Sequence, residues 1–274
     1  MTMSSIAFQG DRGSFSEEAA RKFFGNEFTP APKRAFPDVF EAVESGNATL
    51  GVVPVENSLV GSIHQNYDLL LKHNLKIVGE QNLRIVHNLI VNPGVKIEDL
   101  TSIHSHPVAL DQCRDFLRKH EQAQAILEYD TAGSVRLIKE NKMLNAGAIA
   151  GAYAAELYEM EIVAAAIQDE PDNYTRFLVL AKNPAERSGR SKTSIVFALK
   201  NIPGVLFKAL SVFALRDLDL TKIESRPLRK KAWEYYFYLD FMGHVDDEAA
   251  KNAIAHLREI TTFLKILGSY PMAE

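Results

Sequence analysis

An α/β domain followed by a smaller β-α-β-β-α-β domain is predicted by three observations. Short apolar runs alternate with helical patterns as far as residue 182, the rhythm of parallel α/β structure. The polar stretch Asn183-Pro184-Ala185-Glu186-Arg187-Ser188-Gly189-Arg190-Ser191-Lys192 then interrupts that rhythm and reads as a linker. Beyond it, the order strand, helix, strand, strand, helix, strand is the ferredoxin-like one. At 274 residues with 46% hydrophobic content, the chain can bury two modest cores.

Residues 6–8 read as the first strand, ending in the glycine turn Gln9-Gly10-Asp11-Arg12-Gly13-Ser14. Ser14 is a good N-cap, and Glu17 stands three residues on, as in a capping box. The helix that follows should turn Ala19, Ala20, Phe23 and Phe24 inward. Its unpaired N–H groups make a ready anion site. The glycines form neither G-x-G-x-x-G nor a P-loop, which argues against a nucleotide. Residues 36–46 read as a helix closed by Gly46, and 50–55 as a buried strand ending in Glu56-Asn57-Ser58. Polar residues at such a strand end line the ligand crevice of open α/β sheets; an Asx/Ser turn capping the next helix is the plainer reading. Gly61 and Ser62 open a helix to about residue 73, and 75–91 is extended.

Residues 100–103 are a short strand, followed by His104-Ser105-His106-Pro107 and a helix over 108–119 with Pro107 in its first turn. Two histidines at i and i+2 suggest a metal, but no third ligand is near, and no metal or cofactor is expected. Residues 124–128 form a strand, and Thr131-Ala132-Gly133-Ser134 opens a helix to about 141. Thr131 either caps that helix or holds a ligand carboxylate with its N–H groups. A strand at 146–150 and a helix at 151–158 follow.

Asn173-Tyr174-Thr175-Arg176-Phe177 then places an amide, a phenol, a hydroxyl and a guanidinium at the mouth of the apolar run Leu178-Val179-Leu180-Ala181. A sheet behind such a cluster would hold it rigidly, which suits a site for a small anion. Strand alternation gives Asn173, Thr175 and Phe177 one face and Tyr174 and Arg176 the other; a twist or bulge would be needed to bring Thr175 and Arg176 to one ligand. An ordinary strand start with a surface-paired Arg is the plainer alternative.

In the second domain, strands are expected at 193–199, 220–227, 233–242 and 262–269, with helices at 203–215 and 246–257. The basic turn Arg229-Lys230-Lys231 joins the middle strands. Gly204 permits close approach at the first helix start, where the N–H groups of Val205 and Leu206 suit a carboxylate. Asn201 and Glu224 are placed to accept from an ammonium, and Ser225 sits in a segment kept extended by Pro227.

The stretch Asn173 to Phe177 resembles the signature of prephenate dehydratases. Ile202-Pro203-Gly204-Val205-Leu206-Phe207-Lys208-Ala209-Leu210 and Glu224-Ser225-Arg226-Pro227 are similar to the two effector motifs of the ACT domain that follows the catalytic domain in that family. The three motifs occur in the family's order, and the resemblance covers essentially the whole chain. It implies a two-lobed, periplasmic-binding-protein-like catalytic domain at 1–183, with lobes of about 1–80 plus 174–183 and of 81–173, and an ACT domain at 192–274. The chain would cross between lobes near 79–83 and return over 167–174.

The same resemblance implies conversion of prephenate to phenylpyruvate by loss of CO₂ and the ring hydroxyl. Thr175 would donate to the departing oxygen and Arg176 would fix a carboxylate, without metal, redox cofactor or covalent adduct. Asn173, Tyr174, Phe177, Glu56, Asn57, Ser58, Ser14, Ser105, His106 and Thr131 would line the substrate site. Asp130 stands where the family usually has Ser or Thr, a carboxylate that would repel a dianion. L-Phenylalanine would be the feedback effector, bound through Asn201, Gly204, Val205, Leu206, Glu224, Ser225, Arg226 and Pro227 at a junction of two subunits, in a homodimer or homotetramer. Val205 replaces the family's usual Ala and would tighten that pocket. Arogenate dehydratase and a non-catalytic amino-acid sensor are the competing readings.

A net charge of −4 and a pI near 6.1 argue against nucleic acid or an anionic membrane as the main partner. No apolar run approaches the roughly 20 residues that span a bilayer. The one cysteine, Cys113, and the absence of a recognisable signal at Met1-Thr2-Met3-Ser4-Ser5 suggest a reducing cytoplasm.

Overall fold

The computed structural model describes residues 4–187, 189–228 and 234–273. Its contacts divide the chain into two compact units, one of residues 1–63 and 81–177, the other of 64–80 and 178–274.

The first unit begins with β1 (Ser5–Gln9), the turn, and α1 (Phe15–Phe24). Ser14 caps α1, its hydroxyl accepting from the Glu17 N–H at 3.4 Å. Gly13 has φ +86°, and a Cβ there would lie 3.0 Å from the Ala154 Cα, so the turn tolerates only glycine. Ala19 and Ala20 are buried as expected, but Phe23 is 37% exposed. The last turn of α1 overhangs the core, and Phe23 packs instead edge-on to Phe24 at 4.7 Å between ring centroids. An unforeseen strand β2 (Thr29–Lys33) follows. Pro30 and Pro32 hide it in the sequence; it survives because it pairs with β1 alone, at the edge of the sheet.

Next come α2 (Phe36–Ser45), closed by Gly46 in the left-handed region, and β3 (Leu50–Asn57). Gly61 and Ser62 do not start a helix. They form β4 (Gly61–Ser62), which folds back on β3, and α3 (His64–Lys72) starts after it. With β5 (Lys76–Arg84) and β11 (Tyr174–Ala181), the sheet runs β2-β1-β3-β11-β5, β4 lying off β3.

A second sheet lies within the first unit. It comprises β6 (Asn88–Val91), β7 (Ser102–Ser105), β8 (Gln124–Leu127), β9 (Ala146–Ala150) and β10 (Glu161–Ala164), in the order β10-β6-β9-β7-β8. β7 is parallel to β8 and β9, but β6 is antiparallel to β9 and β10. The parallel pairing expected from the rhythm is present at β7, β8 and β9, and β6 and β10 make this sheet mixed. β6 enters directly from β5, so no crossover helix obliges it to run parallel. The helix expected over 108–119 is broken into α4 (Pro107–Asp111) and α5 (Arg114–Lys119). Asp169, from the returning chain, caps the second piece by accepting from the N–H groups of Arg114 and Asp115 at 3.1 and 3.0 Å. α6 (Thr131–Glu140) and α7 (Ala152–Leu157) complete this lobe; Ala132, Val135, Ile138 and Ala154 pack with β9. Two α/β lobes joined by a crossing and a return make the two-lobed, periplasmic-binding-protein-like arrangement.

In the second unit, β12 (Ser191–Ala198), α8 (Val205–Ala214), β13 (Leu220–Pro227), β14 (Tyr235–Met242), α9 (Glu248–Ile260) and β15 (Phe263–Pro271) give an antiparallel sheet ordered β13-β14-β12-β15. This is the ferredoxin-like order. Ile195, Phe197, Leu239 and Phe241 face the helices with Val212, Phe213, Ile254 and Leu257. Residues of opposite parity meet α3 on the other face. Lys265 Nζ donates to the carbonyls of Leu70, Leu71 and His73 at 3.0, 3.1 and 2.7 Å, closing the C-terminal end of α3. Tyr238 donates to the Tyr67 carbonyl at 2.8 Å. Lys192 pairs with Glu80 at 2.6 Å, with side chains only 10% and 1% exposed. Trp233, the turn Arg229-Lys230-Lys231, Ser188 of the linker and Met1-Thr2-Met3 lie outside the described residues. Among the described residues no helix is long and apolar enough to cross a membrane.

Candidate active site

A cavity of about 410 Å³ opens between the two lobes of the first unit. From the first lobe, the turn before α1 with Ser14, the end of β3 with Asn57, and β11 with Thr175 and Phe177 are among the elements that reach it. The second lobe contributes His106 before α4, Asp130 and Thr131 at the start of α6, and Gln112. Phe15, Phe36 and Val108 are among its apolar walls. Tyr129 also lines it and accepts from Gln9 Nε2 across the lobes at 2.8 Å.

β11 keeps plain strand alternation: Tyr174 is exposed, Thr175 buried, Arg176 half-buried, Phe177 buried. Thr175 and Phe177 therefore reach the cavity, while Tyr174 and Arg176 fall on the other face and do not line it. No bulge brings Thr175 and Arg176 to one face, so of the two only Thr175 lines the cavity. Alternation along β3 likewise sends Asn57 inward and leaves Glu56 out of the lining. Ser58 is used as a clamp instead: its hydroxyl donates to the Asp172 carbonyl at 3.1 Å and accepts from the Tyr174 N–H at 2.9 Å. Ser105 is fully buried and donates to the Ile149 carbonyl at 2.6 Å.

A chain of side chains behind Thr175 fixes the direction of its hydroxyl. Asn57 Oδ1 accepts from two backbone donors, the N–H groups of Leu59 and Val60, each at 3.0 Å. Backbone donors cannot be reversed, so Asn57 Nδ2 must be the donor to its other partners. It donates to Thr175 Oγ1 at 2.9 Å and to Asn173 Oδ1 at 2.6 Å. Asn173 is fully buried, and its Nδ2 in turn donates to Gln112 Oε1 at 3.0 Å. The same oxygen meets His87 Nε2 at 2.9 Å, so His87 carries its proton on Nε2. Thr175 Oγ1 accepts within the chain, leaving its own O–H to donate to whatever fills the cavity.

Two histidines line the cavity, and burial is the main cause lowering the pKa of each below 6.5; Gln112 opposes it at His87 and Asp130 at His106. His106 Nδ1 accepts from the Val108 N–H at 3.3 Å, which puts the proton of the neutral ring on Nε2. The folded protein therefore takes up these protons at lower pH than the unfolded chain does. Stability is full above about pH 6.5 and falls as pH drops through the window below it. Melting midpoints should decline from pH 7 to pH 5, and His87→Gln should flatten that decline; an unchanged slope in the variant would place the cause elsewhere. The other histidine of the pair seen in sequence, His104, is turned away to Glu128 and Ser102 at 2.9 and 3.0 Å.

Asp130, not Thr131, caps α6: its Oδ1 accepts from the Gly133 N–H, and its Oδ2 accepts from the Asp11 N–H at 2.9 Å. Burial raises its pKa, while those two N–H groups oppose the rise.

Gln112 and His87 were not singled out in the sequence. The only signal was that His87-Asn88 is a polar pair inside the apolar run 85–91, and that Gln112 falls where the helix breaks.

In the second unit, Gly204 has φ +74° at the N-cap of α8, with nothing within 4 Å of where a Cβ would sit. The Val205 N–H is already spent on the Ile202 carbonyl at 3.3 Å, leaving Leu206 as the better donor; Asn201 is exposed. Along β13, Ser225 and Pro227 share the helix face with Gly204, while Glu224 and Arg226 turn to α3. Glu224 lies 3.7 Å from His64 and 3.9 Å from Lys222, and Arg226 pairs with Asp68 at 3.3 Å. Glu224 and Arg226 thus do not join Asn201 and Gly204 at one point, because neighbouring strand residues face opposite ways.

A two-lobed cleft with a buried hydroxyl, followed by a ferredoxin-like domain, is the architecture of a small-molecule-binding protein joined to a second module. The family model described as prephenate dehydratase matches residues 6–185, and that described as ACT domain matches 193–259. The chain belongs to the prephenate dehydratase family and carries an ACT domain. The "Arogenate dehydratase/prephenate dehydratase 2, chloroplastic" of Arabidopsis thaliana is 50% identical over 278 residues, covering 97% of this chain and 72% of that one. A solved prephenate dehydratase from Arthrobacter aurescens, in complex with L-Phe, superposes with TM-score 0.88 at 32% identity, over 97% of this chain and 89% of that one. GqqA, described as a novel type of quorum quenching acylase, superposes with TM-score 0.89 at 33% identity, over 98% of both chains. The chloroplastic relative corrects the expectation of a cytoplasmic location: a protein this similar works in a plastid.

Proposed function

We propose that this chain is a decarboxylating dehydratase of phenylalanine biosynthesis, acting on prephenate to give phenylpyruvate and, in the second reading below, on its aminated counterpart. The observation that carries the proposal is the Thr175 hydroxyl, accepting from Asn57 and so free to donate into the cavity. In the reaction the C–CO₂ bond breaks and its electron pair enters the ring. The C–O bond on the opposite side of the ring breaks, and hydroxide leaves. Aromatisation supplies the drive, so the protein has to hold a dianion and stabilise the departing oxygen. A threonine hydroxyl is too weak an acid to give up its proton outright at neutral pH. Its part is a preorganised hydrogen bond in a largely apolar cavity, with the proton arriving through water. With Arg176 outside the lining, carboxylate binding falls to the first-turn N–H groups of α1 behind Ser14 and to His106.

Residues 1–183 form the catalytic domain in this reading, with lobes of about 1–80 plus 174–183 and of 81–173, and 192–274 the regulatory one. L-Phenylalanine is the effector; the L-Phe complex of the Arthrobacter protein supports it. Ser225, Gly204 and Leu206, on the helix face, are its proposed contacts. Phe207 on α8 and Leu215 at its C-cap, each 77% exposed, favour pairing of subunits into a dimer or tetramer. Gly204→Leu should relieve phenylalanine inhibition, because a branched side chain occupies the helix start and strains the left-handed backbone. Inhibition curves that overlay the parent's would remove the effector from this place.

Arogenate, the aminated counterpart, is the second reading, favoured by the double name of the Arabidopsis relative. Incubation with prephenate at neutral pH, then alkali, should give phenylpyruvate absorbance; arogenate should give phenylalanine. A protein that leaves both untouched is a sensor and not an enzyme.

A further inference from the structure

The charges around the cavity fit a dianion poorly. Among the described residues no Lys or Arg lines it, its two histidines are biased toward the neutral form by burial, and its one acidic side chain is Asp130. Two of the helices that start at the cavity, α1 and α6, differ in kind. α1 begins with a neutral cap, Ser14, and the Glu17 of its first turn is already matched by Arg12 and Arg21. α6 begins with its own carboxylate, which already occupies that helix's anion site. The α6 end of the cavity thus presents a carboxylate and favours positive charge.

Asp130 is 8% exposed. Each of its oxygens accepts one backbone N–H, from Gly133 and Asp11, and a carboxylate oxygen can accept two hydrogen bonds. A Cβ on Gly10 would lie 3.6 Å from Asp130 Oδ2, so that oxygen sits over the turn leading to Ser14. Capping alone does not require a charge here, since Ser or Asn caps a helix as well as Asp does. What the carboxylate adds is an acceptor for a cation inside a site that otherwise recognises carboxylates.

Resting on the dehydratase reading above, we infer that Asp130 is a specificity-determining residue: it accepts the α-ammonium of an aminated substrate and favours arogenate over prephenate. The two substrates share the ring, the ring carboxylate and the leaving hydroxyl. They differ where one carries a keto oxygen and the other an ammonium. The keto oxygen brings a lone pair to a carboxylate and is repelled; the ammonium brings a charged donor. An ammonium also stabilises the ionised form of Asp130, opposing the effect of its burial.

The test is to measure kcat/KM for arogenate and for prephenate with the full chain, with Asp130→Asn and with Asp130→Ser. Both substitutions keep a helix cap and remove the charge. The parent should prefer arogenate. Each variant should lower the arogenate-to-prephenate ratio about tenfold or more, chiefly through KM for arogenate, the loss expected for one charge-assisted hydrogen bond. A ratio within about twofold of the parent's in both variants, with activity falling equally on the two substrates, would make Asp130 a plain cap and overturn the inference. So would a parent that prefers prephenate, a result that needs no variant to fold. A parent active on neither substrate sinks the dehydratase reading itself.

Discussion

Thr175→Ala lowers kcat by roughly 10²–10⁴-fold, the range expected for loss of a positioned donor, and changes KM little. The size follows from the cavity. The hydroxyl is buried on β11, held by Asn57 at 2.9 Å, and no Lys or Arg among the described lining residues can take its place. Little compensation is open to the variant, since the donor of Asn57 is then left facing a methyl group. Turnover should be read under single-turnover conditions, where product release does not mask the chemical step. A variant that keeps more than about a third of parental turnover ends the assignment of Thr175.

Asn57→Asp is the second large effect, a loss of about 10²-fold in kcat from a change of one atom's chemistry. The substituted carboxylate can still accept from Leu59 and Val60. Its other oxygen now faces Thr175 Oγ1 and Asn173 Oδ1, at the 2.9 and 2.6 Å contacts where a donor stood. Thr175 must turn its proton to that carboxylate, away from the substrate. Protonation of the new acid restores a donor, so part of the lost rate should return as pH falls, giving an acid limb the parent lacks. Full activity in the variant, or a loss with the parental pH profile, would show that the direction of the Thr175 hydroxyl does not govern the rate.

The contrast between these two residues and Arg176 shows what could be read from the sequence. Thr175 and Asn57 were accessible because strand ends expose short polar groups in register with their sheet. Arg176 stays out of the lining for the same reason, since the period of two that delivers Thr175 turns its neighbour to the other face. The first strand, the Ser14 cap, the helix closed by Gly46 and β13 were all set by local chemistry. β2 was concealed by its prolines, which only an edge position forgives. The Asn57-Asn173-Gln112-His87 chain could not be seen, because its members stand 25 to 116 residues apart along the chain. No local rule links an amide at a helix break to a histidine before a strand; only the closed lobes do. Glu224 and Ser225 repeat the lesson in the second unit, where a motif read as one cluster is split by the sheet.

The grip of Lys265 on the end of α3 bears on where this chain can be cut. By sequence, α3 and Glu80 belong with the dehydratase match at 6–185. Yet the carbonyls that close α3 and the carboxylate of Glu80 depend on cations from the C-terminal sheet. Without the C-terminal sheet, Glu80 would lose the Lys192 ammonium and the Ala273 N–H that hold it, and the last carbonyls of α3 would lose their donor Lys265. The match at 6–185 and the folded boundary therefore do not coincide: a cut at the linker would remove groups that residues 70–80 use.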